Sequence, residues 1–448
     1  MNRSNWKKYQ TNLKRSSTQK RRIKNVRKYL SRVLFLLVGL SPIIGAIVVW
    51  SSYHHTDAKT PLSSEGSFEN LIDKKDVHLL LAGISFENLE NKSFEIAFGG
   101  SKYRVDTSLE MPLQQFLLER INGSTARYIG IVVLDPHNGR ILSLVNHDKT
   151  NSLNNLCLES TFPAASIFKI ITAAAVIEKS GFKGNTALTY NGRKHTLYKS
   201  QLKERITKYT NRITFTDSFA QSVNPVFGKI GAFYLGKLVL DNYAHSFGFN
   251  RVIDFEIPLL PSRFTVKDDP YQLAEIASGF NRRTIMSPLH GALIAAAVLN
   301  RGRIPAPTII DQIQDENHKL IYHNQFNTIG EPMVFATTLI LQNMMVATVK
   351  SGTLRKGFKG HRRDKVLSKL YLGGKTGSID NQSHDARFDW FVGFAREKKG
   401  PAKIVLSVFV AHEKYIGRRA SYYARQAIKA YFGNYYAAQK TALKKQPT

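Results

Sequence analysis

The sequence predicts an α+β protein: an antiparallel sheet of about five strands packed by helices, holding an all-helical insertion and preceded by one transmembrane helix. Three observations predict it. The β-rich runs fall into two groups, an early hairpin at "YIGIVVLD" and "GRILSLVN" and a late set at "LYLGGKTG", "FDWFVGFA" and "KIVLSVFVAH". Between them, from about 183 to 350, the pattern is mostly helical, as in "SPLHGALIAAAVLN" and "EPMVFATTLILQNMMVATV". Near the start, an apolar run at residues 33–50 follows a strongly basic segment. If all five β-rich runs share one sheet, the first two pair with strands far away in sequence. A cleft is then expected between the sheet and the insertion.

Residues 1–32 hold about a dozen Lys and Arg and no acidic residue, which predicts a basic cytoplasmic tail. The run "VLFLLVGLSPIIGAIVVW" at 33–50 approaches the ~20 apolar residues that span a bilayer. It exceeds the ~7–15 residues usual in a cleaved signal, and no small-x-small site follows. The positive-inside rule then predicts a single-pass anchor in the inner, cytoplasmic membrane, with everything after residue 50 extracytoplasmic or periplasmic. The formal net charge is +31. Because the densest charge immediately precedes the apolar run, membrane lipid and not nucleic acid is the expected anionic partner. Beyond the anchor, "RRDK" at 362–365 reads as a solvated loop.

Residues 51–101 read as an extracytoplasmic linker with a short N-terminal segment, polar through "SSYHHTDAKTPLSSEGS". His54 and His55 there lack metal-ligand spacing. "KSFEIAF" and "KYRVDTS" flank Gly99 and Gly100 as a small hairpin, and "PLQQFLLERI" follows as a helix. The main domain is expected over residues 102–435, closed by a helix near "RASYYARQAIKAYF", with a frayed basic tail over 436–448. The chain has 448 residues, of which 43% are hydrophobic, enough for a sizeable core. Cys157 is the only cysteine, so that core stands without an intramolecular disulfide.

The stretch "FPAASIFKIITAAAVIE" sets Ser166 and Lys169 on one face of an apolar helix, where the amine can reach the hydroxyl. Ser-x-x-Lys is a common string, and it also begins at Ser4, Ser17, Ser180 and Ser200. Only the Ser166 copy opens an apolar helix, with Pro163 near its start and Gly181 as its stop. Acyl transfer on such a pair also needs a route for a proton to the leaving amine, an oxyanion hole and a cation for an anionic substrate end. "SVN" at 222–224 lies between two helical segments and can present Ser222 and Asn224 to the cleft; "SLN" at Ser152 lies in a polar loop. Of three Lys-[Ser/Thr]-Gly strings, those at Lys179 and Lys350 terminate helices. "KTGS" at Lys375 reads as strand, which selects Lys375, Thr376 and Ser378, with Gly377 letting a substrate backbone approach.

"SIFK", "SVN" and "KTGS", in that order, resemble the three motifs of the penicillin-binding protein transpeptidases and the related serine β-lactamases. The resemblance extends to "GIVVLDPHNGRILSLVN", "MSPLHGALIAAAVLNRGRIPAP" and "DWFVGFA", and covers roughly residues 102–435. It implies that Ser166 is the acylated nucleophile, Lys169 its general base, Ser222 the proton relay and Asn224 a ligand of the substrate amide. It implies further that the backbone N–H groups of Ser166 and Ser378 form the oxyanion hole, and that Lys375, Thr376 and Ser378 bind the carboxylate of a terminal D-alanine. The implied partners are peptidoglycan stem peptides, β-lactams and a membrane glycan polymerase, with no metal or cofactor. A D,D-carboxypeptidase or β-lactamase uses the same groups, but "FEIPLL" around Glu256 lacks the Glu-x-x-Leu-Asn arrangement of a class A β-lactamase. A non-catalytic β-lactam-binding receptor is the rival of another class. Two departures stand out: the segment between anchor and domain is shorter than the family's pedestal and leaves no room for a glycosyltransferase, and Ser378 stands where threonine is commoner.

Overall fold

The computed structural model describes residues 72–152 and 155–445. The basic segment 1–32, the apolar run 33–50, His54 and His55 lie outside the described residues. Among the described residues no helix is long and apolar enough to cross a membrane.

In chain order, α1 (Lys74–Leu80) precedes the hairpin of β1 (Ser93–Phe98) and β2 (Ser101–Thr107), then α2 (Met111–Arg120) and the hairpin of β3 (Ala126–Leu134) and β4 (Ile141–Asp148). A 3-10 turn, Ala165–Phe168, runs directly into α3 (Lys169–Ser180), which Gly181 ends in the left-handed region at φ 65°. The insertion carries α4 (Phe215–Ala220), α5 (Asn224–Lys229), α6 (Gly236–Ser246), α7 (Pro270–Ser278) and α8 (Pro288–Leu299). It also holds β5 (Ile310–Asp315), β6 (Leu320–His323) and, at its end, α9 (Phe335–Lys350). The chain closes with β7 (Leu370–Asp380), β8 (Arg387–Glu397), β9 (Lys403–His412) and α10 (Ala420–Lys445).

The five-stranded sheet has the order β7-β8-β9-β3-β4, antiparallel throughout, so the early hairpin joins the late strands through β3 and β9. Alternate residues of β9 explain its near-continuous apolar reading. Ile404, Leu406, Val408 and Val410 pack on one face with residues of α2 and α10, while Val405, Phe409 and Ala411 pack on the other with residues of α3 and α8. Both faces are covered, and neither offers water a polar row. A Cβ on Gly291 would lie 2.5 Å from Ser407 Oγ, so the glycine lets α8 lie close against β9.

Three expectations need correction. The insertion is not all-helical: β5 and β6 belong to a second antiparallel sheet of order β1-β2-β5-β6, and residues Ala187–Tyr190 pair with Asn211–Thr214. These strands are only four to six residues long, too short to interrupt helical windows on either side. The second sheet draws β1 into the folded unit, which therefore begins ahead of residue 102. Upstream, α1 forms within the supposed linker, capped by Asp73 and buried through Val77 and Leu80. Finally, residues 436–445 are not frayed but continue α10.

Candidate active site

The turn that carries Ser166 is held from three sides. Trp390 of β8 donates its indole N–H to Pro163 O at 2.9 Å, and Ala164 N–H donates to Thr284 O at 2.8 Å. Ile167 and Phe168 are wholly buried beneath it. Ala165 sits at φ 48°, an uncommon conformation for a residue with a Cβ, and presents its carbonyl to Gly279. A Cβ on Gly279 would lie 1.9 Å from that oxygen. Ser166 is thus placed by packing that only small residues permit.

Lys169, three residues on, is 0% exposed. Its Nζ stands 2.9 Å from Ser166 Oγ, donates to Asn224 Oδ1 at 2.7 Å, and donates to the Ser278 carbonyl at the end of α7. Burial first, and the nearby Lys375 charge second, hold its pKa well below the ordinary lysine range. A neutral amine has two N–H donors and one lone pair. With Asn224 and Ser278 taking the donors, the lone pair is left for the Ser166 hydroxyl proton.

The second lysine faces the second hydroxyl. Lys375 Nζ donates to Ser222 Oγ at 2.9 Å and to Thr376 O at 3.0 Å, and burial pushes its pKa down to about 7. Ser222 is held at φ 56° between α4 and α5, with its N–H donating to Phe219 O at 3.0 Å. Asn224 is fixed through both ends of its amide, since Nδ2 donates to His195 O at 2.9 Å.

A cleft of about 1030 Å³ opens over these groups, lined by Ser166, His195, Ser222, Asn224, Thr376 and Ser378 among others. All eight residues singled out in the sequence therefore converge, with Lys169 and Lys375 beneath the floor. Thr376 and Ser378 lie on β7, the edge strand of the sheet, so one flank of that strand is open to an added backbone. Gly377 also serves a second close approach. A Cβ there would lie 3.2 Å from Ala165 Cβ and 3.3 Å from Ile167 Cγ1, so the glycine lets the Ser166 turn pack against β7.

The strings at Ser4 and Ser17 and most of "SLN" at Ser152 lie outside the described residues; among the described residues the discarded strings lie elsewhere, with one exception. Ser180 closes α3 and Ser200 lies on the short helix Lys199–Leu202, neither lining the cleft. "KSGT" at Lys350 does terminate α9, yet its Thr353 lines the cleft and meets Thr376 Oγ1 at 2.7 Å. Sequence reasoning missed Thr353, His195, Ser278 and Asp389. The last of these lies opposite Ser378 in register and accepts its hydroxyl at 3.2 Å. A strand residue facing a chosen motif residue carries no local signature, because the pairing is set by register.

Glu256 is buried far from this chemistry. It accepts from Thr308 Oγ1 at 2.6 Å, Ile309 N–H at 3.2 Å and Tyr322 O–H at 3.2 Å, and it does not line the cleft.

A family model described as the penicillin binding protein transpeptidase domain matches residues 129–432. Over 353 residues the chain is 23% identical to the peptidoglycan D,D-transpeptidase PbpA of Mycolicibacterium smegmatis, covering 68% of this chain and 67% of that protein. It is 22% identical to penicillin-binding protein 1A of Rickettsia conorii, covering 65% of this chain and 35% of the relative, so it spans about a third of that protein. The D,D-transpeptidase domain of a peptidoglycan glycosyltransferase from Eggerthella lenta superposes with a TM-score of 0.60 at 20% identity, covering 74% of this chain and 83% of that one. For PBPA of Mycobacterium tuberculosis the TM-score is 0.58 at 19% identity, covering 73% and 81%.

Proposed function

The chain belongs to the penicillin-binding protein transpeptidase domain family, and from that premise we propose that it is a membrane-anchored serine D,D-transpeptidase that cross-links peptidoglycan stem peptides through an acyl-enzyme on Ser166. The observation that carries this reading is the placement of Lys169, whose two donors are taken by Asn224 Oδ1 and Ser278 O while its Nζ stands 2.9 Å from Ser166 Oγ. Ser166 Oγ attacks the carbonyl of the D-alanyl-D-alanine bond as its proton passes to Lys169. Backbone N–H groups of Ser166 and Ser378 receive the oxyanion, each such donor being worth about 3 kcal/mol. As the bond breaks, Ser222 hands a proton to the leaving D-alanine amine. Lys375, with a pKa of about 7, can replenish it at neutral pH. The ester then waits for the amine of a second stem peptide, which displaces Ser166 and completes the cross-link.

The occupation of the cleft's carboxylates supports synthesis over a β-lactamase-type hydrolysis. Its lining carboxylates are Asp380, paired with Arg387 at 3.4 Å, and Asp389, bonded to Ser378 at 3.2 Å; both are engaged by other side chains. The basic segment 1–32 and the apolar run 33–50 support an anchor with the catalytic unit outside the cytoplasmic membrane, working beside a membrane glycan polymerase. Labelling of the full chain by a fluorescent penicillin tests the core of the proposal: Ser166→Ala abolishes it and Lys169→Ala makes it very slow, whereas Ser17→Ala and Ser200→Ala leave it intact. Undiminished labelling of Ser166→Ala would remove the mechanism. A reporter fused after Thr448 tests the topology, since activity on the cytoplasmic side would reverse it.

A further inference from the structure

The transpeptidase reading, on which this inference rests, requires a cation for the carboxylate that ends the donor peptide. Lys375 is poorly placed to be that cation. It is 0% exposed, and its Nζ already donates to Ser222 Oγ and Thr376 O. The two hydroxyls on the open side of the strand are also engaged. Thr376 Oγ1 meets Thr353 Oγ1 at 2.7 Å, and Ser378 donates its single proton to Asp389 Oδ1 at 3.2 Å. A carboxylate arriving there would meet the negative charge of Asp389 unless another cation stood beside it.

One does. Arg419 Nη1 lies 3.8 Å from Asp389 Oδ1, the same oxygen that takes the Ser378 hydroxyl, while Asp389 Oδ2 accepts Ala420 N–H at 3.0 Å and lies 3.7 Å from His412 Nε2. The Arg419 side chain is 52% exposed and lines the same cleft. Lys356 also lines the cleft but makes no contact with Asp389, Arg282 donates to Asp380 O at 2.8 Å, and three further cations are held by other groups. Arg387 pairs with Asp380 at 3.4 Å, Arg425 donates to Gly357 O and Lys359 O, and Lys429 pairs with Asp364 at 2.8 Å. Among these cations Arg419 alone shares an acceptor with Ser378, and a guanidinium has five donors in a planar fork, so one contact to Asp389 leaves the rest for a second carboxylate.

We propose that Arg419 is the group that receives the terminal carboxylate of the donor peptide and of penicillin, and that Asp389 is its positioning residue, holding the guanidinium and the Ser378 hydroxyl together. The substrate carboxylate and Asp389 then share one arginine between them. Specificity for a free carboxyl terminus resides at the start of α10, outside the three motifs.

Acylation of the full chain in detergent by penicillin G and by its methyl ester, followed by intact mass, tests this. The wild-type chain should prefer the acid. Arg419→Gln should lower that acid-to-ester preference by at least about tenfold, the loss expected of a hydrogen bond between charged groups. Arg419→Lys should retain part of the preference, a graded change in ratio that mere loosening of the fold does not produce. An unchanged ratio in a folded Arg419→Gln chain overturns this inference alone. If neither ligand acylates Ser166 in the wild-type chain, the transpeptidase reading falls and takes the inference with it.

Discussion

Thr353 Oγ1 and Thr376 Oγ1 lie 2.7 Å apart and fasten the loop that ends α9 to the strand that carries Lys375. The same loop grips the Ser222 segment. Thr353 N–H donates to Ala220 O at 3.1 Å, and Gly352 makes the approach possible, since a Cβ there would lie 2.2 Å from that oxygen. One short loop therefore fixes the distance between Lys375 and the hydroxyl it serves. Thr353→Val keeps the shape and removes the hydroxyl. It should slow acylation of Ser166 several-fold and cost about 1 kcal/mol of stability, read by labelling kinetics and thermal unfolding. A variant labelled at the wild-type rate would show that the loop acts through packing alone.

The reactivity of Ser166 should follow the protonation of Lys169. Protonation fills the lone pair that takes the serine proton, so the acylation rate falls as pH is lowered. Because burial and the Lys375 charge hold the Lys169 pKa well below 10.5, that decline should lie far below the ordinary lysine range. Lys375→Met removes the repelling charge and should move the decline to higher pH, on top of a lower plateau from the loss of the Ser222 partner. A shift to lower pH would contradict the coupling between the two amines.

Stability carries the same signature. Lys375 has a folded pKa of about 7 against 10.5 for an ordinary lysine, so between these values the unfolded chain binds more protons than the folded one. The free energy of unfolding should therefore rise from about pH 7 towards pH 10, with Lys169 adding in the same direction. Lys375→Met should flatten that rise. Denaturant titrations at several pH values measure it, and a wild-type profile falling over this window would mean that the amines stay charged in the fold.

The groups of the candidate site were legible because each fits a particular residue type in a particular local frame: an apolar helix start for Ser166, a loop for Ser222, a strand for Lys375. Context separated these motifs from their copies. The supporting shell was not legible. Asp389 reaches Ser378 through strand register, Thr353 reaches Thr376 across a helix end, and the Ser278 carbonyl depends on where α7 stops. These are tertiary relationships with no local pattern. The membership of the five-stranded sheet was readable from the grouping of apolar runs, though not its strand order, whereas β5 and β6 were hidden by their brevity inside a helical stretch.

Two glycines with similar backbone angles should respond differently to alanine. Gly181 at φ +65° caps α3, and a Cβ added there would have nothing within 4 Å, so Gly181→Ala meets only the backbone penalty, about 1 kcal/mol, and leaves labelling intact. Gly279 at φ +67° would drive its Cβ to 1.9 Å from Ala165 O, against the turn that holds Ser166. Gly279→Ala should cost clearly more, about 2 kcal/mol or above, and should slow acylation as well. Equal losses from the two substitutions would mean that the Ser166 turn is free to give way.

The lifetime of the acyl-enzyme separates a synthase from a hydrolase. Rapid hydrolysis of the Ser166 ester in the β-lactamase manner uses a carboxylate to hold a water against the carbonyl, and the two cleft-lining carboxylates, Asp380 and Asp389, are engaged by Arg387 and Ser378. Glu256, downstream of the second motif, lacks the Glu-x-x-Leu-Asn arrangement, and its oxygens are committed to Thr308, Ile309 and Tyr322. The penicilloyl adduct should therefore persist for many minutes by intact mass, and a D-alanyl-D-alanine peptide offered with a suitable amine should give more cross-linked than hydrolysed product. Glu256→Gln should leave the adduct lifetime unchanged while lowering the unfolding temperature, because the amide cannot satisfy all three donors that the carboxylate accepts. An adduct that turns over in seconds would assign the site to a hydrolase, and one that Glu256→Gln prolongs would make Glu256 its water-activating base.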